Sequence, residues 1–300
     1  AGFDPTVDGH TFQVLTYSSH DTDLNDDTVL DNIFDNITHN LGPEYNVTID
    51  YGSTAATVTV SRLPEIAVTT NGAGMQFDGV DDKIVATDAA LAIQGGAFTV
   101  AAVITTTQVP AASTYGVILS LGDGDTTNAG FNLSINENGF LEGGLINAGG
   151  VNSTIAINDG LPHHVAAVHD GSGNYEIFVD GVSSGSFNVS PTQAITLGEL
   201  ILGQTDDGSF SYEGLIDEVQ VYNQALSTEE VAAVAGGGAG TTDGITADPL
   251  IHFDFADGQA INLGSLGSNA DGVLGTSAAS GEADDPFAVP LIGQALSFAG

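Results

Sequence analysis

The chain has 300 residues, and 39 Asp and Glu face only 2 basic side chains, Arg62 and Lys83, for a formal net charge of -37. No basic face exists that could neutralise phosphates, which excludes nucleic acid as a partner and argues against an anionic membrane surface. With 42% hydrophobic residues the chain has enough apolar material to fold, and with no cysteine it has neither disulfides nor thiolate metal sites.

Residues 1–70 read as a small α+β unit, a β-α-β-β layer. Phe12 to Tyr17 is strand-like, and Val29, Leu30, Ile33, Phe34, Ile37 and Leu41 share one helical face, with Asn25 or Asp26 as a cap and Gly42-Pro43 as a stop. Tyr45–Tyr51 and Ala56–Leu63 alternate as two strands around Gly52-Ser53. From residue 71 to 236 the pattern changes to short strands separated by Gly, Asp, Asn and Ser. The clearest are Phe98–Thr106, Tyr115–Leu121, Gly130–Asn136, His163–His169, Tyr175–Val182, Leu200–Gly203 and Leu215–Asn223. Such spacing predicts an antiparallel sandwich. Asp180-Gly181 is a hairpin turn dipeptide, and Ser227-Thr228-Glu229-Glu230 is a capping box opening a short helix to Ala235. Residues 237–248 form a Gly-rich linker, and residues 249–300 follow.

The series Met75-Gln76-Phe77-Asp78-Gly79-Val80-Asp81-Asp82, Phe98-Thr99-Val100, His163-His164-Val165-Ala166-Ala167-Val168, Tyr175 to Val182 and Gly214 to Ser227 resembles the laminin-G-like, concanavalin A-like lectin/glucanase domains of secreted bacterial surface proteins. The resemblance implies a mainly β fold, a concanavalin A-like antiparallel β-sandwich or jelly roll over 71–236. Such domains serve as carbohydrate-binding modules, adhesin segments and spacers, so one fold fits many tasks. The chain departs from the pattern in having no Trp before His163 or near Val103.

Gly293 to Gly300 echoes Gly72 to Gly79, and Leu250 to Phe255 with Gly264 to Ser268 resembles the family's opening strand and loop. Residues 249–300 therefore read as a partial second laminin-G-like copy. Either the chain is a section of a longer repeat protein, or the tail donates a strand beside Leu215–Asn223, in cis or to the next subunit of a filament. Ala1 to Asp4 lacks the basic and apolar parts of an export signal, so a signal is expected to have been removed already. No apolar run is long enough to span a bilayer. A secreted or cell-surface location is expected.

Calcium is the expected cofactor, because Asp- and Asn-bearing loops supply the oxygens that Ca2+ needs. Asp123, Asp125 and Asn128 on one loop and Asp206 and Asp207 on another are the candidate ligands, with Asp78, Asp81 and Asp82 as a second metal cluster; solvated acidic turns are the alternative. The resemblance adds weight, since related domains hold calcium on a sandwich rim. His163 and His164 are neighbours in a strand, face opposite sides and cannot share one ion. Asn-x-Ser/Thr triplets at Asn36, Asn46, Asn132, Asn152 and Asn188 are candidate glycosylation sites, or chance in an Asn/Ser/Thr-rich chain. Related hydrolases carry Glu-x-Asp-x-x-Glu on one strand, and nothing here matches. Glu213, Asp217 and Glu218 come closest and read as structural, with Asp217 hydrogen-bonded and Glu218 exposed.

No enzyme activity is expected. The sequence points to an extracellular structural or adhesion protein, a cell-surface repeat protein or a subunit of a filament or layer, with copies of itself as partners. The alternative is a carbohydrate-binding module of a secreted polysaccharide-acting protein, with surface glycans as partners. Phe210 and Tyr212 are then the candidate glycan contacts, with Tyr115 and Phe140 as further aromatics, against the general tendency of strand aromatics to be core.

Overall fold

The computed structural model describes residues 10–16, 45–51, 55–62, 73–87, 96–122, 130–145, 149–189, 199–205, 207–238, 240, 244–256, 258–276 and 287–290. The chain divides into two compact units, residues 1–65 with 298–300, and residues 66–297. In the first, β1 (His10–Thr16), β2 (Tyr45–Tyr51) and β3 (Ala55–Arg62) form an antiparallel sheet in the order β1-β3-β2. The alternation read between residues 45 and 63 becomes the β2–β3 pair, registered from Tyr45 opposite Arg62 to Tyr51 opposite Ala56. The helix expected over residues 29–41 lies outside the described residues.

The second unit is the antiparallel sandwich. Its strands are β4 (Ala73–Asp78), β5 (Asp82–Thr87), β6 (Phe98–Thr105), β7 (Gly116–Leu121), β8 (Phe131–Ile135), β9 (Phe140–Leu145) and β10 (Gly149–Ala156). They continue with β11 (Pro162–His169), β12 (Asn174–Val179), β13 (Val182–Asn188), β14 (Glu199–Leu202), β15 (Glu213–Tyr222), β16 (Ile251–Phe253), β17 (Val273–Thr276) and β18 (Phe287–Pro290). One sheet has seven strands in the order β10-β9-β8-β7-β14-β5-β17, and the other has eight in the order β13-β12-β11-β6-β15-β4-β18, with β16 also on β15.

The burial of each strand follows from what covers it. β5 alternates buried and half-buried residues, as a strand with one covered face does. β6, Phe-Thr-Val-Ala-Ala-Val-Ile-Thr, is buried almost throughout. Its inward side chains Phe98, Val100, Ala102 and Ile104 join the sandwich core with Leu119, Leu133, Leu141, Val165, Ile177 and Leu202. Its outward Ala101 lies under α1 (Thr228–Ala235), which packs Val231 and Val234 onto Ala166, Val168, Phe178 and Tyr222. The predicted capping box is formed: the Glu230 amide donates to Ser227 Oγ at 3.3 Å, and the Ser227 amide donates to Glu230 Oε2 at 2.7 Å. Asp180 and Gly181 take φ of 51° and 73°, the two positive values of a type I′ turn between β12 and β13. On the far edge, the Thr154 amide of β10 donates to Ser184 Oγ of β13 at 3.0 Å and ties one sheet to the other.

The C-terminal segment contributes to these same sheets. β15 carries a bulge at Asp217–Glu218, with Glu218 at φ 48°, so that its first half pairs with β4 and its second half with β16 of the same chain. Val219, Gln220 and Val221 stand opposite Phe253, His252 and Ile251. Phe253 and Phe255 enter the core fully buried, while β17 and β18 extend the sheets beyond β5 and β4.

Candidate functional site

The outer face of the seven-stranded sheet carries a groove of about 300 Å³ over β7, β8 and β9. Strand alternation builds its floor in cross-strand rows. Val117, Ser134 and Glu142 form one row, and Asn132, Gly144 and Gly150 form the next, each residue paired in register with its neighbour. The β10 end stays low because it is glycine. A Cβ at Gly150 would lie 2.8 Å from the Gly143 carbonyl, and one at Gly144 3.2 Å from that of Gly149, so close strand approach demands glycine and leaves the groove open.

Two aromatic rings make the opposite wall. Tyr115 precedes β7, and Phe210 comes from the loop joining β14 to β15; the rings meet edge to face with centroids 5.7 Å apart. Gln108 holds the two loops together, donating from Nε2 to the Ser211 carbonyl at 2.9 Å and accepting the Glu213 amide on Oε1 at 3.1 Å. Thr205 Oγ1 accepts the amides of Ser209 and Phe210 at 3.0 and 3.3 Å, which fixes the backbone from which Phe210 projects.

Polar groups converge below the rings. Burial raises the Glu142 carboxyl pKa, and hydrogen bonds donated by Asn136 and Tyr115 partly offset it. The Glu142 charge, then burial, then the Glu137 charge push the Tyr115 hydroxyl up. Asn132 Oδ1 is buried without a hydrogen-bond partner, as is Ser120 Oγ beside it. Such groups cost stability and mark places where a donor from outside would be welcome.

The residues singled out in the sequence are placed as follows. Phe210 is half-buried on the groove wall, and Tyr115 joins it there. Tyr212 is corrected as a glycan contact: it is fully buried, and its hydroxyl donates to the Leu215 carbonyl at 3.1 Å. Phe140 is a half-buried strand residue and is not among those lining the groove. Asp207 has its carboxylate taken up locally, Oδ1 accepting the Thr205 hydroxyl at 2.8 Å and the Ser209 amide at 3.0 Å, so it orders the loop that presents Phe210. Asp123, Asp125, Asn128 and Asp206 lie outside the described residues. Asp78, Asp81 and Asp82 lie at the turn between β4 and β5, where Asp82 Oδ2 accepts the Asp78 amide and Asp78 Oδ1 the Val80 amide, each at 2.7 Å. Among the described residues no three His, Asp or Glu side chains gather as metal ligands would. Asn132 belongs to the groove floor, whereas Asn152 and Asn188 are exposed; Asn36 and the side chain of Asn46 lie outside the described residues. Glu218, expected to be exposed, is buried at the bulge and its Oε2 meets His252 Nε2 at 2.9 Å.

Residues 78–232, just over half of the chain, match the family model of the concanavalin A-like lectin/glucanases superfamily. The chain belongs to this superfamily. Among solved structures, a candidate carbohydrate-binding protein of Bacteroides ovatus is similar over 89% of this chain and 90% of its own, at 14% identity and a TM-score of 0.51. A heptameric SAP-like pentraxin of Limulus polyphemus shares 21% identity over 56% of this chain and 84% of its own, with a TM-score of 0.43. Domains LG4-5 of the mouse laminin alpha1 chain share 20% identity over 55% of this chain and 47% of theirs, with a TM-score of 0.42. At these identities the likeness is one of fold. No curated protein matches the chain.

Sequence reasoning missed Asn132, Ser134 and Glu142 as a constellation. The available signal was the even spacing of Asn132 with Ser134 and of Glu142 with Gly144, which puts each pair on one strand face. Nothing in the sequence paired β8 with β9 in the register that makes them neighbours.

Proposed function

We propose that this chain is an extracellular, non-enzymatic glycan-binding protein whose site is the groove on the seven-stranded sheet. The observation that carries the reading is the pairing of two aromatic rings, Tyr115 and Phe210, with a floor of amide, hydroxyl and carboxyl groups at Asn132, Ser134 and Glu142. Sugars present apolar C–H faces edged by hydroxyls, so a ring wall beside fixed donors and acceptors is complementary to them. The superfamily and the fold shared with the Bacteroides protein are in line with this. Glu142 is the only carboxylate among the described residues of the groove, whereas glycosidic hydrolysis ordinarily employs a pair.

Binding takes precedence over assembly by strand donation for a specific reason. Donation needs an open edge beside the second half of β15 and an unpaired tail strand, and these two meet each other within one chain.

Glycan-array screening followed by calorimetry tests the reading. Phe210→Ala and Tyr115→Ala are each expected to weaken the best array ligand by about tenfold. An array without ligands, or unaltered affinity in both variants, would remove the groove from consideration.

A further inference from the structure

The groove has a sign of charge as well as a shape. Glu142 stands in its floor, and Glu137, whose carboxylate accepts the Ser113 amide at 2.7 Å, acts on Tyr115 from the adjoining turn. Neither of the chain's two cations is on the strands that form it. Arg62 belongs to β3 of the other unit, and Lys83 lies on β5, separated from β7 by β14. No guanidinium or ammonium among the described groove residues is available to pair with a ligand carboxylate or sulfate, the ordinary requirement for recognising such groups.

We propose that the groove selects neutral, hydroxyl-rich glycans and rejects acidic ones, with Glu142 as the residue that sets this specificity; the inference rests on the glycan-binding reading above. Two observations act together. Asn132 Oδ1, buried and without a partner, and the Glu142 carboxylate are acceptors, so they call for ligand groups that donate, as hydroxyls do and ionised carboxylates do not. An anionic ligand would bring like charge against Glu142 in a partly desolvated site, within a molecule whose formal charge is already -37. Burial raises the Glu142 pKa while Asn136 and Tyr115 lower it, so a ligand carboxylate would have to share the floor with a carboxyl whose charge burial already penalises.

The test uses the whole chain and matched ligands. A neutral oligosaccharide found on the array is compared by calorimetry with its counterpart of equal length in which the C6 hydroxymethyl groups are carboxylates, at about 20 mM and about 500 mM salt. The expected result is a preference of about tenfold or more for the neutral ligand at low salt, narrowing at high salt. In Glu142→Gln, which keeps the shape and removes the charge, the preference is expected to fall to within a few-fold. Equal or tighter binding of the acidic ligand to the native protein overturns the inference while leaving glycan binding intact. So does a preference that is insensitive both to salt and to Glu142→Gln, and the salt series on the native protein decides the matter even if the variant folds poorly. Failure to bind any glycan overturns the underlying reading together with this one.

Discussion

His164 and Asp217 flank Val103 on the outer face of the eight-stranded sheet, each in register with it across a strand pair. Both are 2% exposed, and both ring nitrogens of His164 and Oδ2 of Asp217 lack partners. Burial lowers the His164 pKa to about 4, against the attraction of Asp180. Burial, then Glu218, then Asp254 raise that of Asp217 to about 8. The two shifts have opposite signs, and their pH windows overlap. A folded pKa below the unfolded one means that stability is lost as pH falls, here between about 6.5 and 4 for His164. A folded pKa above the unfolded one means that stability is lost as pH rises from the unfolded to the folded value, here from 3.8 to about 8 for Asp217. His163 adds to the alkaline side: burial would lower it, but its hydrogen bond to Asp180 Oδ2 at 2.9 Å and the charges of Asp180 and Asp159 raise it overall. Urea melts across pH are expected to show that Asp217→Asn, which retains the acceptor for the Glu218 amide, loses less stability between pH 6.5 and 8.5 than the native chain. His164→Leu is expected to flatten the acid limb and to stabilise by about 1 kcal/mol at pH 5, since it removes two buried unpaired nitrogens. Unchanged pH profiles in both variants would refute the assignment.

At the scale of elements, the C-terminal segment is clamped by one buried amide. Asn262, 5% exposed, accepts the His252 amide at 2.9 Å and the Gly264 amide at 2.8 Å on Oδ1, and donates from Nδ2 to the carbonyls of Leu250 and Gly267, each at 3.1 Å. Asn262→Ala removes hydrogen bonds from four backbone groups, of which the Leu250 carbonyl keeps the Leu266 amide, and is expected to cost about 2–4 kcal/mol. Phe253→Ala, at a fully buried core position, is expected to cost about 3–5 kcal/mol. Guanidinium titration checks both, and a loss below about 1 kcal/mol in each would mean that the segment is not integral to the sandwich. Legibility at this scale followed local pattern. The capping box at Ser227, the Asp180-Gly181 turn and most central strands could be read because neighbouring residues alone specify them. β9, β10 and β13 were not read. Their Gly143, Gly144, Gly149, Gly150 and Gly185 interrupt the apolar alternation, since a strand whose backbone is closely approached keeps glycine where a branched residue would signal it. Glu218 was misjudged because a bulge adds one residue to the count, and a period of two cannot foresee which side an extra residue turns to.

For the whole molecule the dominant fact is charge. With 39 carboxylates against 2 basic side chains, self-repulsion opposes compaction and is relieved by screening. The melting temperature is expected to rise steadily as sodium chloride increases from about 20 mM to about 500 mM, and a flat response in differential scanning calorimetry would contradict it. The sequence by itself determined this charge, the sandwich class and the family, because composition sums over residues and strand periodicity is local. Tertiary structure alone decided that Tyr212 supports the core while Phe210 faces a groove, that Ser134 and Glu142 stand opposite each other with Asn132 in the next row, and that the tail closes against its own β15. Those outcomes depend on cross-strand register between residues distant in the chain, and register is settled by the packing of the assembled core, which no local pattern encodes.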